Sequence, residues 1–262
     1  MNIAIIGYGK MGRIIEGLAL ENKHKITAIV DPNIAEGRTV RGSSVYNSIS
    51  QLSPLSEKPE MAIDFTHPGA AAQNILDLAA LKISAVTGTT GWYYRLPEIT
   101  AAVNSFGTSL LYAPNFSLGM NLFYRIAEYT AKMFDPFPDY DAGGMEIHHN
   151  KKADSPSGTA KIIAQKVLSG MARKKKIVYD KLDHPPAPDE LHFASLRVGS
   201  VNGVHSVIFD SPSETVEITH TMRNREGMAA GALKAAEWLA AKKQTGVFTI
   251  DDMLKDILKG AL

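Results

Sequence analysis

The chain has 262 residues, 45% of them hydrophobic and 21% charged, with a net charge of +1. That length supports one large core or two smaller ones, and the near-neutral balance excludes a general nucleic-acid binder. The absence of cysteine excludes disulfides, thiolate metal sites and catalysis through a cysteine thioester. No apolar run reaches the ~20 residues of a membrane helix, and no basic-then-apolar leader opens the chain, so a cytoplasmic location is expected.

Asn2–Ile6 is a short apolar run of buried-strand type. Gly7-Tyr8-Gly9-Lys10-Met11-Gly12 follows at once and fits G-x-G-x-x-G. Residues 13–20 have helical spacing, and the strand Lys25–Val30 ends in Asp31. Strand, glycine turn, helix, strand and then an acid is the context in which such glycines bind a dinucleotide. The turn lets a pyrophosphate approach, and the helix N-terminus stabilises its charge. Asp31 can accept from ribose hydroxyls, which favours NAD, whereas Arg38 and Arg41 further on favour the 2′-phosphate of NADP. A glycine-rich turn in some other α/β domain is the plainer reading of the same residues.

Residues 51–59 form a polar, proline-bounded loop. Strands are predicted at 61–66, 83–86 and 110–113, and helices at 70–81 and 96–105, the alternation of a parallel, doubly wound sheet. Ligands bind such sheets beyond the carboxyl ends of the strands. Asp64-Phe65-Thr66, Gly88-Thr89-Thr90 and Ala113-Pro114-Asn115-Phe116 sit there, although ordinary turns would look the same. His67 reads as a turn residue.

A helix at 118–133 has Met120, Phe123, Ile126, Ala127 and Met133 as its apolar stripe, and Asp135-Pro136-Phe137-Pro138 breaks the chain. The densest chemistry follows. Residues 145–149 end a strand, 150–155 form a loop, and Pro156-Ser157-Gly158-Thr159 opens a helix running to about residue 171. Pro156 suits a first turn. A helix start offers free N–H groups to an anion, and the hydroxyls of Ser157 and Thr159 add donors. His148, His149 and Lys152 lie just before it, so imidazole, ammonium and N–H groups can converge on a carboxylate. A capped helix with solvated charges is the bland alternative. Neighbouring strand residues face opposite ways, so His148 and His149 should not share a metal, and no metal is expected.

Arg173-Lys174-Lys175-Lys176 reads as a solvated charge run, and His184 has no evident partner. Strands at 191–198, Val204–Asp210 and Thr215–Thr221 join the one before His148 in an open, mostly four-stranded sheet with helices on one face. His205 and His220 read as structural. A helix at 226–241 and a short capped helix close the chain.

From Glu146 to Ala160 the sequence resembles the Glu-x-His-His-x-x-Lys-x-Asp-x-Pro-Ser-Gly-Thr-Ala signature of the dihydrodipicolinate (4-hydroxy-tetrahydrodipicolinate) reductase family, with every fixed position filled. The glycine turn is one residue shorter than the commonest family pattern. The resemblance implies a Rossmann-type dinucleotide domain at 1–117 and 226–262 and an α+β substrate-binding and oligomerisation domain at 118–225, hinged near Ser117 and Arg225. It implies reduction of 4-hydroxy-tetrahydrodipicolinate or dihydrodipicolinate by NADH or NADPH in the diaminopimelate route to lysine, in a homotetramer. His148 would donate or accept a proton, Lys152 would donate one, His149 would touch substrate, and Gly158 and Thr159 would hold a carboxylate. Gly88, Thr89 and Thr90 with Ala113, Pro114, Asn115 and Phe116 would line the nicotinamide end of the cofactor. Another two-domain oxidoreductase, acting on a sugar or amino acid, is the runner-up, and a non-catalytic cofactor sensor is the alternative outside enzymes.

Overall fold

The computed structural model describes residues 1–35, 37–179 and 181–259. In chain order the first stretch runs β1 (Asn2–Ile6), α1 (Lys10–Glu21), β2 (Lys25–Val30), β3 (Thr39–Val40), β4 (Ser43–Tyr46), β5 (Met61–Asp64), α2 (Pro68–Ala80), β6 (Ser84–Thr87), α3 (Leu96–Phe106) and β7 (Ser109–Tyr112). The middle stretch is α4 (Leu118–Phe134), β8 (Asp141–His148), α5 (Gly158–Gly170), β9 (Lys176–Tyr179), β10 (Glu190–Arg197), β11 (Val204–Asp210) and β12 (Thr215–Thr221). The chain then closes with α6 (Glu226–Lys242), β13 (Gly246–Thr249) and α7 (Ile250–Ile257). Two compact units result, one of Met1–Ser117 with Arg225–Leu262 and one of Leu118–Asn224.

In the first unit eight strands lie in the order β13-β7-β6-β5-β1-β2-β4-β3. All pairings are parallel except the short β3–β4 pair. Ile3, Ala4 and Ile5 are fully buried, as strands covered by helices on both faces require. The last strand is recruited late: β13 pairs with β7 through Val247 opposite Leu110, and α7 after it is closed by a Thr249–Asp252 capping box. The sheet is a Rossmann-type α/β sheet, as the alternation of predicted strands and helices required. The β3–β4 pair was invisible in the sequence, because two-residue and four-residue strands show no periodicity.

The second unit is a mixed sheet in the order β12-β11-β8-β10-β9. It therefore has five strands, where the sequence led to four. The extra strand, β9, begins at Lys176, inside the charge run taken for a solvated segment. Lys174 is in fact buried; its Nζ donates to the Glu190 carbonyl at 2.7 Å and pairs with Asp141 at 2.5 Å. Arg173 donates to the carbonyls of Phe137 and Tyr140. These cations pin the starts of β8 and β10 and the preceding loop, and an ion pair with a long aliphatic stem explains how Lys174 lies inside. One face of the sheet packs Phe193, Val207 and Phe209 against α4 and α5 through Phe123, Ala127, Ile163 and Val167. The other face leaves Met145 and Leu196 exposed.

Candidate functional site

The first unit carries a cleft over the glycine turn. Gly7 has φ +87°, and a Cβ there would lie 2.6 Å from the Phe65 carbonyl. At Gly12 a Cβ would strike the Gly7 carbonyl at 2.2 Å, so α1 can seat on β1 only without one. Gly9 has nothing within 4 Å and leaves its backbone open to a ligand. The helix begins at Lys10, three residues before the expected start, so Lys10, Met11 and Gly12 belong to its free N-terminal turn. Asp31 accepts from Tyr8 N–H at 2.8 Å and from Asn33 N–H at 2.9 Å, which ties the acid to the turn.

Two adjoining cavities run along this edge. One of about 420 Å³ includes Gly7, Gly9, Asp31, Asn47 and Asn74 in its wall. The next, about 350 Å³, includes Gly9, Lys10, Met11, Gly88, Thr89 and Arg225. Phe65 and Thr66 line both. Thr90, Ala113, Pro114, Asn115 and Phe116 line neither. The Ala113–Phe116 segment is nevertheless held tightly, since α6 packs Gly231 so closely that a Cβ would lie 1.7 Å from the Phe116 carbonyl.

What fixes the loops of Thr66 and Thr89 is Asp64, which the sequence placed at a strand end without a role. It is fully buried and accepts from Thr89 Oγ1 (2.8 Å), Asn74 Nδ2 (2.9 Å), Thr66 Oγ1 (3.0 Å) and Thr87 Oγ1 (3.3 Å). Thr89 also accepts from Thr66 N–H at 2.9 Å. Burial pushes the Asp64 carboxyl above its ordinary value, against the hydrogen bonds of Asn74, Thr89 and Thr66.

A third hollow, about 490 Å³, includes Tyr8, Arg13, Arg38 and Arg41. Arg13 stacks over the Tyr8 ring at 5.5 Å. The Tyr8 hydroxyl donates to the fully buried Glu16, which Arg41 approaches at 3.8 Å. Burial first, and then the Glu16 bond, push Tyr8 up to about 12.

In the second unit the charged motif organises around Glu146. Strand register puts Glu146 beside His205 of β11 and Ser195 of β10, and His148 beside Arg197, so all share the sheet face that carries the core. Glu146 has no exposed surface. Its Oε1 accepts from Ser157 N–H at 2.8 Å and Arg197 Nη2 at 2.9 Å, and its Oε2 accepts from the Ser157 hydroxyl. His148 Nδ1 stands 3.1 Å from Oε2 and His205 Nε2 stands 3.5 Å from it, neither in line for a formed hydrogen bond. The imidazoles of His148 and His205 meet edge-on, 5.1 Å apart. Burial alone would raise the Glu146 carboxyl, but His205, Ser157 and Arg197 outweigh it and hold it well below the usual range. Burial lowers His148 to about 4; Glu146 opposes that, while His205, Lys152 and Arg197 add to it.

Glu146, His148 and His205 place three donor atoms within 4.8 Å of one another, a spacing that suits a metal. Both oxygens of the carboxylate are already engaged, however, by Ser157 and Arg197, and the two imidazoles stand beside it. His149 follows directly after β8, half-buried, its Nδ1 without a hydrogen-bond partner. The loop that follows is pinned by Asn150 N–H to Gly199 O (3.2 Å) and Lys152 N–H to His149 O (3.1 Å). Lys152 Nζ pairs with Asp154 at 2.7 Å. The helix α5 starts at Gly158, with Ser157 as its cap accepting from Ala160 N–H at 3.1 Å. Pro156 therefore precedes the cap and is not in the first turn. The Ser157 hydroxyl is spent on Glu146 and on the cap, so Gly158 and Thr159 carry the open end of this helix. His184 does have partners, Asp183 at 2.6 Å and Glu190 at 3.2 Å. His205, read as structural, touches the histidine–carboxylate cluster, a contact that only sheet register reveals.

A dinucleotide-type sheet with a glycine cleft, together with a second unit bearing a His-Lys-carboxylate cluster, defines a two-domain oxidoreductase of the nicotinamide-dependent kind. Two family models match the chain, "Dihydrodipicolinate reductase, N-terminus" over residues 1–116 and "Dihydrodipicolinate reductase, C-terminus" over residues 119–254. The chain belongs to the dihydrodipicolinate reductase family. A 4-hydroxy-tetrahydrodipicolinate reductase from Christiangramia forsetii is 38% identical over 99% of this chain and 100% of its own length. One from Archaeoglobus fulgidus is 34% identical over 97% of this chain and 100% of its own. Among solved structures, dipicolinate-bound dihydrodipicolinate reductase from Paenisporosarcina sp. TG-14 superposes with a TM-score of 0.76 at 22% identity, covering 95% of this chain and 97% of that one, and so shares the fold.

Proposed function

We infer that the chain reduces 4-hydroxy-tetrahydrodipicolinate with a nicotinamide cofactor, a step in lysine biosynthesis. The observation that carries this reading is full-length membership of the family, combined with His148, Lys152 and the open start of α5 gathered in one unit. The first unit holds the cofactor through Gly7, Tyr8, Gly9, Lys10, Met11, Gly12 and Asp31, with Gly88, Thr89, Thr90 and Ala113 to Phe116 at its nicotinamide end. The second holds the substrate. Asp31 serves the ribose of NADH, and the arginine-lined hollow of Arg13, Arg38 and Arg41 accepts the extra phosphate of NADPH, so both cofactors are used. A cytoplasmic location is part of the proposal, as suits a biosynthetic reductase of this family; no helix among the described residues is long and apolar enough to cross a membrane. A homotetramer is part of the proposal, supported by the exposed apolar face around Met145 and Leu196.

The bound cofactor supplies the hydride. His149, Lys152 and the N–H groups at Gly158 and Thr159 bind the substrate carboxylates, each charge-assisted bond contributing on the order of 1.5–3 kcal/mol. At neutral pH the His148 imidazole is uncharged, since burial holds it at about 4. It therefore orients substrate as a neutral partner, and the Lys152 ammonium delivers the proton, leaving Asp154 to do so.

The test follows NADH and NADPH absorbance with substrate formed in situ from pyruvate and aspartate semialdehyde. Oxidation that needs both components supports the reading. Cofactor binding without oxidation overturns it and returns the chain to the wider dehydrogenases.

A further inference from the structure

Glu146 is an unusual residue to bury. A carboxylate with no exposed surface pays a desolvation penalty that a well-packed apolar residue at the same place would avoid. Here the penalty is offset by Arg197 Nη2 at 2.9 Å, Ser157 N–H at 2.8 Å and the Ser157 hydroxyl. Those partners come from two places, β10 and the cap of α5, and tie both to the strand β8 that bears Glu146 and His148. Arg197 also donates to the Asp154 carbonyl, which fastens the loop bearing Lys152 to the same carboxylate. Each catalytic and binding group assigned above in this unit thus hangs within a few bonds of one buried anion.

The second observation concerns the imidazole. His148 is buried, and its Nδ1 has no aligned hydrogen-bond partner, yet the carboxylate Oε2 stands 3.1 Å away. The groups facing His148 are Glu146 on its own strand, Arg197 from β10, His205 from β11 and Lys152 from the loop. Of these only Glu146 is an anion, so a proton on Nδ1 has one favourable acceptor. The other nitrogen, Nε2, looks toward Gly203. A Cβ there would sit 3.1 Å from Nε2, and the φ of +151° disfavours any side chain. Glycine keeps that approach open.

We propose that Glu146 is a positioning residue for the reaction: it holds His148 as the Nδ1–H tautomer with Nε2 bare, and through Ser157 and Arg197 it sets the helix start and the lysine loop around that imidazole. The proposal deepens the reductase reading and rests on it for the meaning of the site. The tautomer itself does not depend on which substrate is turned over. A neutral histidine with Nε2 bare accepts a hydrogen bond from substrate; the opposite tautomer would donate one, and the protonation pattern of the site would be reversed.

The experiment is nitrogen–proton correlation NMR of the imidazoles in the full-length protein, with His148 assigned by the signal lost in His148→Asn. The expected result is Nδ1–H in the wild type. In Glu146→Gln the side-chain amide can donate to Nδ1, and the signal should move to the Nε2–H pattern. Turnover should fall by between tenfold and the roughly 10⁴-fold that a wrongly set tautomer costs a catalytic histidine, with the cofactor dissociation constant unchanged. Glu146→Asp, which keeps the charge, should recover part of the rate. An Nε2–H signal in the wild type, or a tautomer indifferent to Glu146→Gln, overturns the proposal. Should Glu146→Gln fail to fold, the wild-type tautomer decides alone. The Nδ1–H pattern in a protein that oxidises no cofactor would leave this inference standing and sink the reductase reading instead.

Discussion

Asp64 in the first unit and Glu146 in the second are both carboxylates with no exposed surface, both near the carboxyl end of a strand, and both netted by hydrogen bonds. Their charge states are pushed in opposite directions. Asp64 is surrounded by neutral donors, three threonine hydroxyls and an asparagine amide, and burial wins, raising its carboxyl. Glu146 has a guanidinium and a helix cap, and burial loses. Hydrogen bonds alone organise loops; a cation is needed to keep a buried anion charged. The first arrangement suits a platform for a cofactor whose binding rests on backbone, the second a site where charge takes part in chemistry.

The sharpest way to break the comparison is to remove the anions. Glu146→Ala leaves Arg197 without its carboxylate and should cost on the order of 3–5 kcal/mol of stability, read from urea denaturation midpoints. Asp64→Asn keeps an acceptor for the threonine hydroxyls and should cost only about 1–2 kcal/mol. Equal losses would mean that the guanidinium is not what distinguishes the two sites.

Their pH dependences should carry opposite signs. Asp64 has a folded pKa above its unfolded value of ~3.9, so its contribution is present below that value and is lost as pH rises toward the folded pKa. Glu146 has a folded pKa below its unfolded ~4.3, so its contribution is present above that value and is lost as pH falls. Relative to Asp64→Asn, the wild type should lose advantage as pH rises from about 4. Relative to Glu146→Gln, it should lose advantage on acidification below about 4. Slopes of one sign for both variants would refute the contrast.

The smallest effect concerns Glu16, a third buried carboxylate, with a tyrosine hydroxyl and a more distant guanidinium. Arg41→Ser should raise the Michaelis constant for NADPH by about tenfold, the loss of one partly exposed charge-assisted bond, and leave that for NADH unchanged. A parallel change in both constants would place Arg41 outside the 2′-phosphate hollow.

Much of this was readable in advance because it rests on local patterns. Lys25–Val30, Val204–Asp210 and Thr215–Thr221 were legible end to end, since alternation and apolar runs report strands directly. The glycine turn was legible because its chemistry is backbone: a Cβ would collide at Gly7 and Gly12, and Gly9 leaves the backbone open. The cluster at residues 146–160 was legible as a string of side chains. Its supports were not: Arg197 and His205 lie 51 and 59 residues beyond Glu146 in sequence and reach it only through the register of β10 and β11. For the same reason β9 was hidden, because four residues opening on a lysine carry no period, and Lys174 looked solvated until its partners Asp141 and Glu190 were in place.

In the proposed reaction Lys152 of the second unit delivers the proton while the first unit holds the cofactor. Single-turnover oxidation of NADPH by Lys152→Met, with cofactor affinity measured on the same preparation, tests it most directly. The expected rate is lower by roughly 10²–10⁴-fold with affinity unchanged. A wild-type rate at wild-type affinity would contradict it and move the proton to another group.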